Sequence, residues 1–233
     1  MSGFAEALRA VDGIGGWLTE AQARVLYDRA AALPAGARIV EIGSYHGRST
    51  IILAHAAPGA EIVAIDPFAA DHITTRERLR ESDVGESDLE RFESNLERAG
   101  VRARVRHIRA FSSDALAQVD GEADLLYVDG AHDLRNALGD IRGWGERVRD
   151  GGTMLVHDSF SAVGVTLAEV AALFLSDRFR YVGRTRSLAE YRRQHVGRRT
   201  NAARQAAQLP WFARNLLVKI GFIVTRRDDP FPY

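Results

Sequence analysis

The chain has 233 residues, of which 46% are hydrophobic and 27% charged, and its formal net charge is zero. Such a length accommodates one large domain with a substantial core, and the composition excludes collagen-like, coiled-coil and disordered classes. With no cysteine, disulfide frameworks, thiolate zinc sites and cysteine nucleophiles are excluded, which fits a cytoplasmic protein.

In chain order, Met1–Ala10 lacks a basic segment followed by an apolar run, so export is not expected. No apolar stretch reaches the roughly 18 residues that a membrane span needs. Thr19–Leu33 has helical character and stops at Pro34, so residues 1–34 are expected to form an N-terminal helical cap. From Arg38 onward, short runs rich in Val and Ile alternate with segments of helical period, the pattern of consecutive βα units around a parallel sheet. The runs are Arg38–Ile42, Glu61–Ile65, Val105–Ile108, Asp124–Val128 and Thr153–Val156.

Four of these runs end at a polar or glycine-rich cluster: Glu41–Gly47, Asp66–Pro67, Asp129–His132 and His157–Ser159. The carboxyl ends of strands form the ligand crevice of an open parallel sheet, so these clusters should converge. Phe68–Glu86 is polar and longer than a tight connection needs, and reads as either a lid or a solvated helix. Ser87-x-x-Glu90 opens a helix carrying Leu89, Phe92 and Leu96 and stopping at Gly100. A further helix is expected from near Leu134 to Gly151, with Trp144 in the core. The main domain should occupy residues 35–193, leaving 194–233 as a basic and apolar C-terminal extension.

The first cluster, Val40-Glu41-Ile42-Gly43-Ser44-Tyr45-His46-Gly47-Arg48-Ser49-Thr50, is a strand, a glycine turn and a helix start. This layout lets backbone approach a ligand closely and points helix amides at its negative groups. It departs from the dinucleotide fingerprint G-x-G-x-x-G, because Tyr45 stands where a middle glycine would be. The carboxylate of Glu41 beside the turn suits a ligand carrying an ammonium and a sulfonium better than a diphosphate.

The run Glu41-Ile-Gly43-Ser-Tyr-His-Gly47-Arg-Ser49 closely resembles the first motif of class I S-adenosylmethionine-dependent methyltransferases. The branch with the macrolide and cephalosporin hydroxyl O-methyltransferases is the most similar. The resemblance covers about residues 36 to 192. It implies a doubly wound α/β, Rossmann-like methyltransferase fold, with a seven-stranded, mostly parallel sheet, an antiparallel last strand and helices on both faces. It also implies that Glu41, Gly43, Ser44, Tyr45, Gly47 and Ser49 border the cofactor, S-adenosylmethionine. Asp66, after the second strand, would accept hydrogen bonds from the ribose hydroxyls. Phe111-Ser112-Ser113-Asp114 is similar to the segment bordering the adenine, with Ser113 and Asp114 as its contacts; alternatively, Ser112 or Ser113 simply caps a helix.

After the fourth strand comes Asp129-Gly130-Ala131-His132, and after the fifth, His157-Asp158-Ser159. Two acids at neighbouring strand ends, with two histidines close by, can hold a divalent ion and lower the pKa of a hydroxyl. The resemblance implies that Asp129 serves cofactor, catalysis and metal, and that His132 deprotonates the acceptor hydroxyl. Asp129, His157 and Asp158 are the expected metal ligands. Metal-dependent relatives have two consecutive acids where this chain has His157-Asp158, which favours Mn²⁺ over Mg²⁺, or no metal. His46 and His55 read as structural or cofactor-adjacent.

Between Arg178 and Arg227 stand 13 Lys and Arg against one acid, Glu190. The apolar segment within 209–227 has three readings: docking on its own domain, a homodimer contact, or a peripheral contact with the inner membrane face. No nucleic-acid-binding module is present. The expected function is O-methylation of a small molecule, sugar or glycolipid. Its rivals are a dinucleotide-dependent oxidoreductase and a non-catalytic relative that has kept the cofactor cleft. A tyrosine-lysine pair for the former is missing, since Lys219 is the only lysine.

Overall fold

A computed structural model of the protein describes residues 3–68 and 86–225. Most of Phe68–Glu86, read above as a lid or solvated helix, lies outside the described residues. Seven strands form one sheet: β1 Arg38–Ile42, β2 Glu61–Ile65, β3 Val105–Ile108, β4 Ala123–Val128, β5 Val148–Val156, β6 Phe179–Thr185 and β7 Leu188–Arg193. Their order is β3-β2-β1-β4-β5-β7-β6. The first five strands are parallel, and β7 lies antiparallel between β5 and β6. This is the seven-stranded, mostly parallel arrangement that the resemblance implies.

Nine α-helices pack around the sheet among the described residues: α1 Gly3–Ala10, α2 Glu20–Ala31, α3 Arg48–Ala56, α4 Glu86–Arg98, α5 Ser112–Ala115, α6 Leu134–Gly145, α7 Val163–Ala172, α8 Arg198–Ala206 and α9 Leu209–Thr225. The strands are apolar on both sides because both faces are covered. Alternation along each strand sends Ile39, Ile62 and Leu125 to one core with α1, α2, α3 and α4. Val40, Val63 and Leu126 go to the other core, with Ile141 and Trp144 of α6 and Val165 of α7. Each such aliphatic side chain contributes about 2 kcal/mol on burial.

Several boundaries differ from the sequence reading: β4 begins at Ala123 rather than Asp124, β5 at Val148 rather than Thr153, and two helix ends are shifted. The helix described from Glu86 places Ser87 in its first turn rather than at its cap. α6 ends at Gly145 rather than Gly151, because β5 begins at Val148 and runs through Gly151, whose φ of +75° only glycine adopts readily. Trp144 is 1% exposed and donates through Nε1 to the Ser112 carbonyl at 3.1 Å, so it is a core residue.

The chain builds β1, β2 and β3 outward on one side and then crosses to β4, so β1 and β4 flank the topological switch point where ligands bind in such sheets. Backbone hydrogen bonds continue past the strand ends there: Gly43 N–H to Ile65 O at 2.9 Å, Asp129 N–H to Ile42 O at 2.8 Å and His157 N–H to Val128 O at 2.9 Å. The turns are thereby fixed relative to one another.

Candidate active site

The glycine turn is packed from both sides. Gly43 has φ +86°, and a Cβ there would collide with the Asp129 carbonyl, so its glycine serves the close approach of two protein turns. Gly47 (φ +84°) begins α3, and a Cβ would press within 3.2 Å of the Phe92 ring. Between them Tyr45 takes φ 44°, an uncommon conformation for a bulky residue. It is held because its N–H donates to Asp66 Oδ2 at 2.9 Å and its ring stacks on His46 at 3.7 Å. His46 Nε2 in turn meets the buried Asp88 of α4 at 2.9 Å, which gives that histidine a structural role.

Glu41 is completely buried beneath this turn. Burial pushes its carboxyl up to about 7, against the pull of the Ser49 and Thr50 hydroxyls. Its Oε1 and the Ser44 hydroxyl have no hydrogen-bond partner among the described residues. Such buried orphans are costly unless a ligand meets them. Asp66 accepts from Tyr45 N–H and, at 2.8 Å, from Phe68 N–H; burial raises its pKa and these amides oppose the rise. A carboxylate has about four acceptor sites, so it has room for a further donor beside the backbone amides. At the next strand, Phe111 rather than a serine is the N-cap of α5, and no side chain caps that helix. Ser112 instead hydrogen-bonds the buried Asp140, which leaves Ser113 and Asp114 exposed at the crevice edge. The helix-cap reading of these serines is therefore not met.

At the switch point, five titratable groups from β4, β5 and the turns that follow them come together. Tyr127 OH donates to Asp129 Oδ2 at 2.7 Å, and His157 Nδ1 lies 3.1 Å from Asp129 Oδ1 and 3.4 Å from Asp158 Oδ2. His132 Nε2 lies 3.0 Å from Asp158 Oδ2. Burial would raise the Asp158 pKa, but hydrogen bonds from both histidines hold it well below the carboxylate range. The Asp158 hydrogen bond raises His132, against partial burial. Asp158 itself has φ 56°, a strain of about 1–2 kcal/mol that persists because its carbonyl accepts from Ser161 and Ala162 amides at 3.1 and 2.9 Å.

Of the expected metal ligands, Asp129 and Asp158 converge with His157 Nδ1 beside both, and His132 brings a further donor atom to the same carboxylates. One ligand atom from each of Asp129, His132 and Asp158 lies within 4.8 Å of the others. His157 stands behind the carboxylates, 6% exposed. The reason is a residue the sequence reading did not single out. Gln22, in the first turn of α2, reaches across to place its Nε2 3.2 Å from His157 Nε2 and 3.0 Å from Ser187 Oγ. Thr19 N–H and hydroxyl donate to Gln22 Oε1 at 3.0 and 2.7 Å, so the amino group must be the end that faces the imidazole. A donor facing Nε2 selects the tautomer with its proton on Nδ1, the nitrogen on the side of the two acids. Burial lowers the His157 pKa, but the carboxylates of Asp129 and Asp158 outweigh it and hold the imidazole well above its usual range. Only Thr19-x-x-Gln22, a capping box, marked this residue in the sequence, and a capping box announces a helix start rather than a site.

The segment from Ile14 to Gln22 thus runs along the crevice. Its Ile14 carbonyl accepts from Arg48 at 2.7 Å near the glycine turn, and Gln22 ends at the acid-histidine cluster. Trp17, 72% exposed, sits in the middle with its ring 6.0 Å from that of Tyr45.

Solved structures share this architecture. A cofactor-bound structure of Rv0187 from MTB is 22% identical, with a TM-score of 0.58 over 83% of this chain and 90% of that one. The O-methyltransferase TomG from Streptomyces achromogenes, involved in tomaymycin synthesis and solved with SAM, is 21% identical, with a TM-score of 0.54 over 84% and 90%. SAH-bound PaMTH1, a methyltransferase of Podospora anserina, is 16% identical, with a TM-score of 0.61 over 83% and 88%. At these identities the likeness establishes the fold. Residues 40–159, from the glycine turn to the end of the His157–Ser159 cluster, match the family model described as a methyltransferase domain, and the chain belongs to that family.

Proposed function

We propose that the protein transfers the methyl group of S-adenosylmethionine to a hydroxyl oxygen of a small molecule or sugar, with His132 accepting the hydroxyl proton. The observation that carries this reading is the pairing of His132 with Asp158 at 3.0 Å, beside the glycine turn at the switch point. S-adenosylmethionine, when bound, supplies an electrophilic methyl carbon. Gly43, Ser44, Tyr45, Gly47 and Ser49 border it, Glu41 faces its cationic end, Asp66 takes the ribose hydroxyls, and Ser113 and Asp114 meet the adenine. Asp158 holds the proton of His132 on Nε2, which leaves the Nδ1 lone pair to accept from the acceptor hydroxyl. Asp129, fixed by Tyr127 and His157, orients that hydroxyl.

One observation favours a second reading. The Asp129, His132 and Asp158 ligand atoms, within 4.8 Å of one another, make a donor set for a divalent ion, and its imidazole suits Mn²⁺ better than Mg²⁺. His132 is then a ligand rather than the base. Transfer of radiolabelled methyl from S-adenosylmethionine to catechols, sugars and glycolipids, with EDTA or with added Mn²⁺ or Mg²⁺, tests both. Transfer that survives EDTA and disappears in His132→Ala supports the first reading. Transfer only with added metal supports the second, and failure to bind S-adenosylhomocysteine overturns both.

A further inference from the structure

α9 is turned the opposite way from an ordinary surface helix. Asn215 is completely buried and donates to the Phe160 carbonyl at 3.1 Å, and one turn later Lys219 Nζ donates to the Ser161 carbonyl at 2.8 Å. The polar residues thus pin α9 to its own domain, aided by Trp211 and Phe212, which pack on the core. The opposite face carries Leu209, Leu217 and Ile220, which are 40%, 70% and 54% exposed and fall on one helical stripe. Lys219 fastens α9 to the turn just before α7.

We propose that this face of α9 docks the protein on an anionic lipid surface. Charge decides the occupant. The span 198–225 has no Asp or Glu, and Arg199, Arg204 and Arg214 are exposed along it. Apolar side chains that enter the acyl boundary, with arginines beside them to meet headgroup phosphates, are the features of a helix lying in the interface plane. A second copy of this chain fits less well, because a two-fold dimer would set two acid-free, arginine-bearing helices against each other. Among the described residues no helix is long and apolar enough to cross a membrane, so the contact is peripheral.

The test uses the full chain and vesicles of phosphatidylcholine alone or mixed with phosphatidylglycerol, read by flotation. Binding to the mixed vesicles is expected, weakened by high salt and at least about tenfold stronger than to phosphatidylcholine alone. The double variant L217E/I220E should lose it while keeping its thermal midpoint and its affinity for S-adenosylhomocysteine, since both side chains face solvent. Absence of binding to the mixed vesicles, or equal binding by the double variant, overturns the proposal. So does a dimer in sedimentation that L217E/I220E converts to monomer.

Discussion

The two ends of the crevice are built on different principles. At the β1–β2 end, polar side chains serve the protein's own backbone: Asp66 binds two amides, His46 binds Asp88 and Tyr45 is clamped by both. That end is a preformed cradle. At the β4–β5 end, titratable side chains bind one another, in a chain from Gln22 through His157 and the two aspartates to His132. The first end is suited to holding a fixed shape and the second to moving a proton, and each can be disturbed separately.

The largest effect is expected at the second end. His132→Ala should lower turnover by about two to four orders of magnitude and leave S-adenosylhomocysteine affinity nearly unchanged, as read by steady-state kinetics alongside calorimetry. Loss of binding instead would mean that the two ends are not separable.

Gly43→Ala attacks the seam between them. A Cβ pressed onto the Asp129 carbonyl, at a positive φ, should cost about 3 kcal/mol and appear as a lower thermal midpoint.

Asp66→Ala removes the acceptor of two amides and should weaken S-adenosylhomocysteine binding by roughly tenfold to a hundredfold. Its effect belongs in cofactor affinity, and an equal loss confined to acceptor turnover would contradict the division.

Gln22→Ala should be milder, a loss of about tenfold in turnover at unchanged cofactor affinity, because His157 then loses the donor that fixes its tautomer.

The smallest effect concerns pH. Glu41 has a folded-state pKa of about 7 against an ordinary 4.5, so the folded protein keeps a proton that the unfolded chain releases. Stability from this group is complete below pH 4.5 and falls as pH rises toward about 7. A cationic ligand end favours the charged form, so cofactor affinity should rise with pH through that range, with proton release visible as buffer-dependent binding heat. Glu41→Gln should flatten both trends.

Legibility in the sequence followed the same division. Strands β1, β2 and β3 and the glycine turn could be read to the residue, because apolar runs and local turn chemistry are written in consecutive positions. Asp129, His132 and Asp158 were legible as strand-end residues, since the switch-point rule brings such ends together. Their pairing was not, because it depends on the left-handed conformation of Asp158, which nothing in its neighbours announces. Gln22 was hidden for a related reason: it acts across 135 positions of chain, from a helix whose own pattern accounts for it completely. The orientation of α9 also escaped the sequence, because its outward face is the apolar one.

The most direct test of the account is calorimetric titration of the purified protein with S-adenosylhomocysteine and, separately, with NAD. The account predicts binding of S-adenosylhomocysteine alone, strengthened as pH rises through about 7 and weakened by Asp66→Ala but not by His132→Ala. Binding of NAD, or of neither ligand, would contradict it.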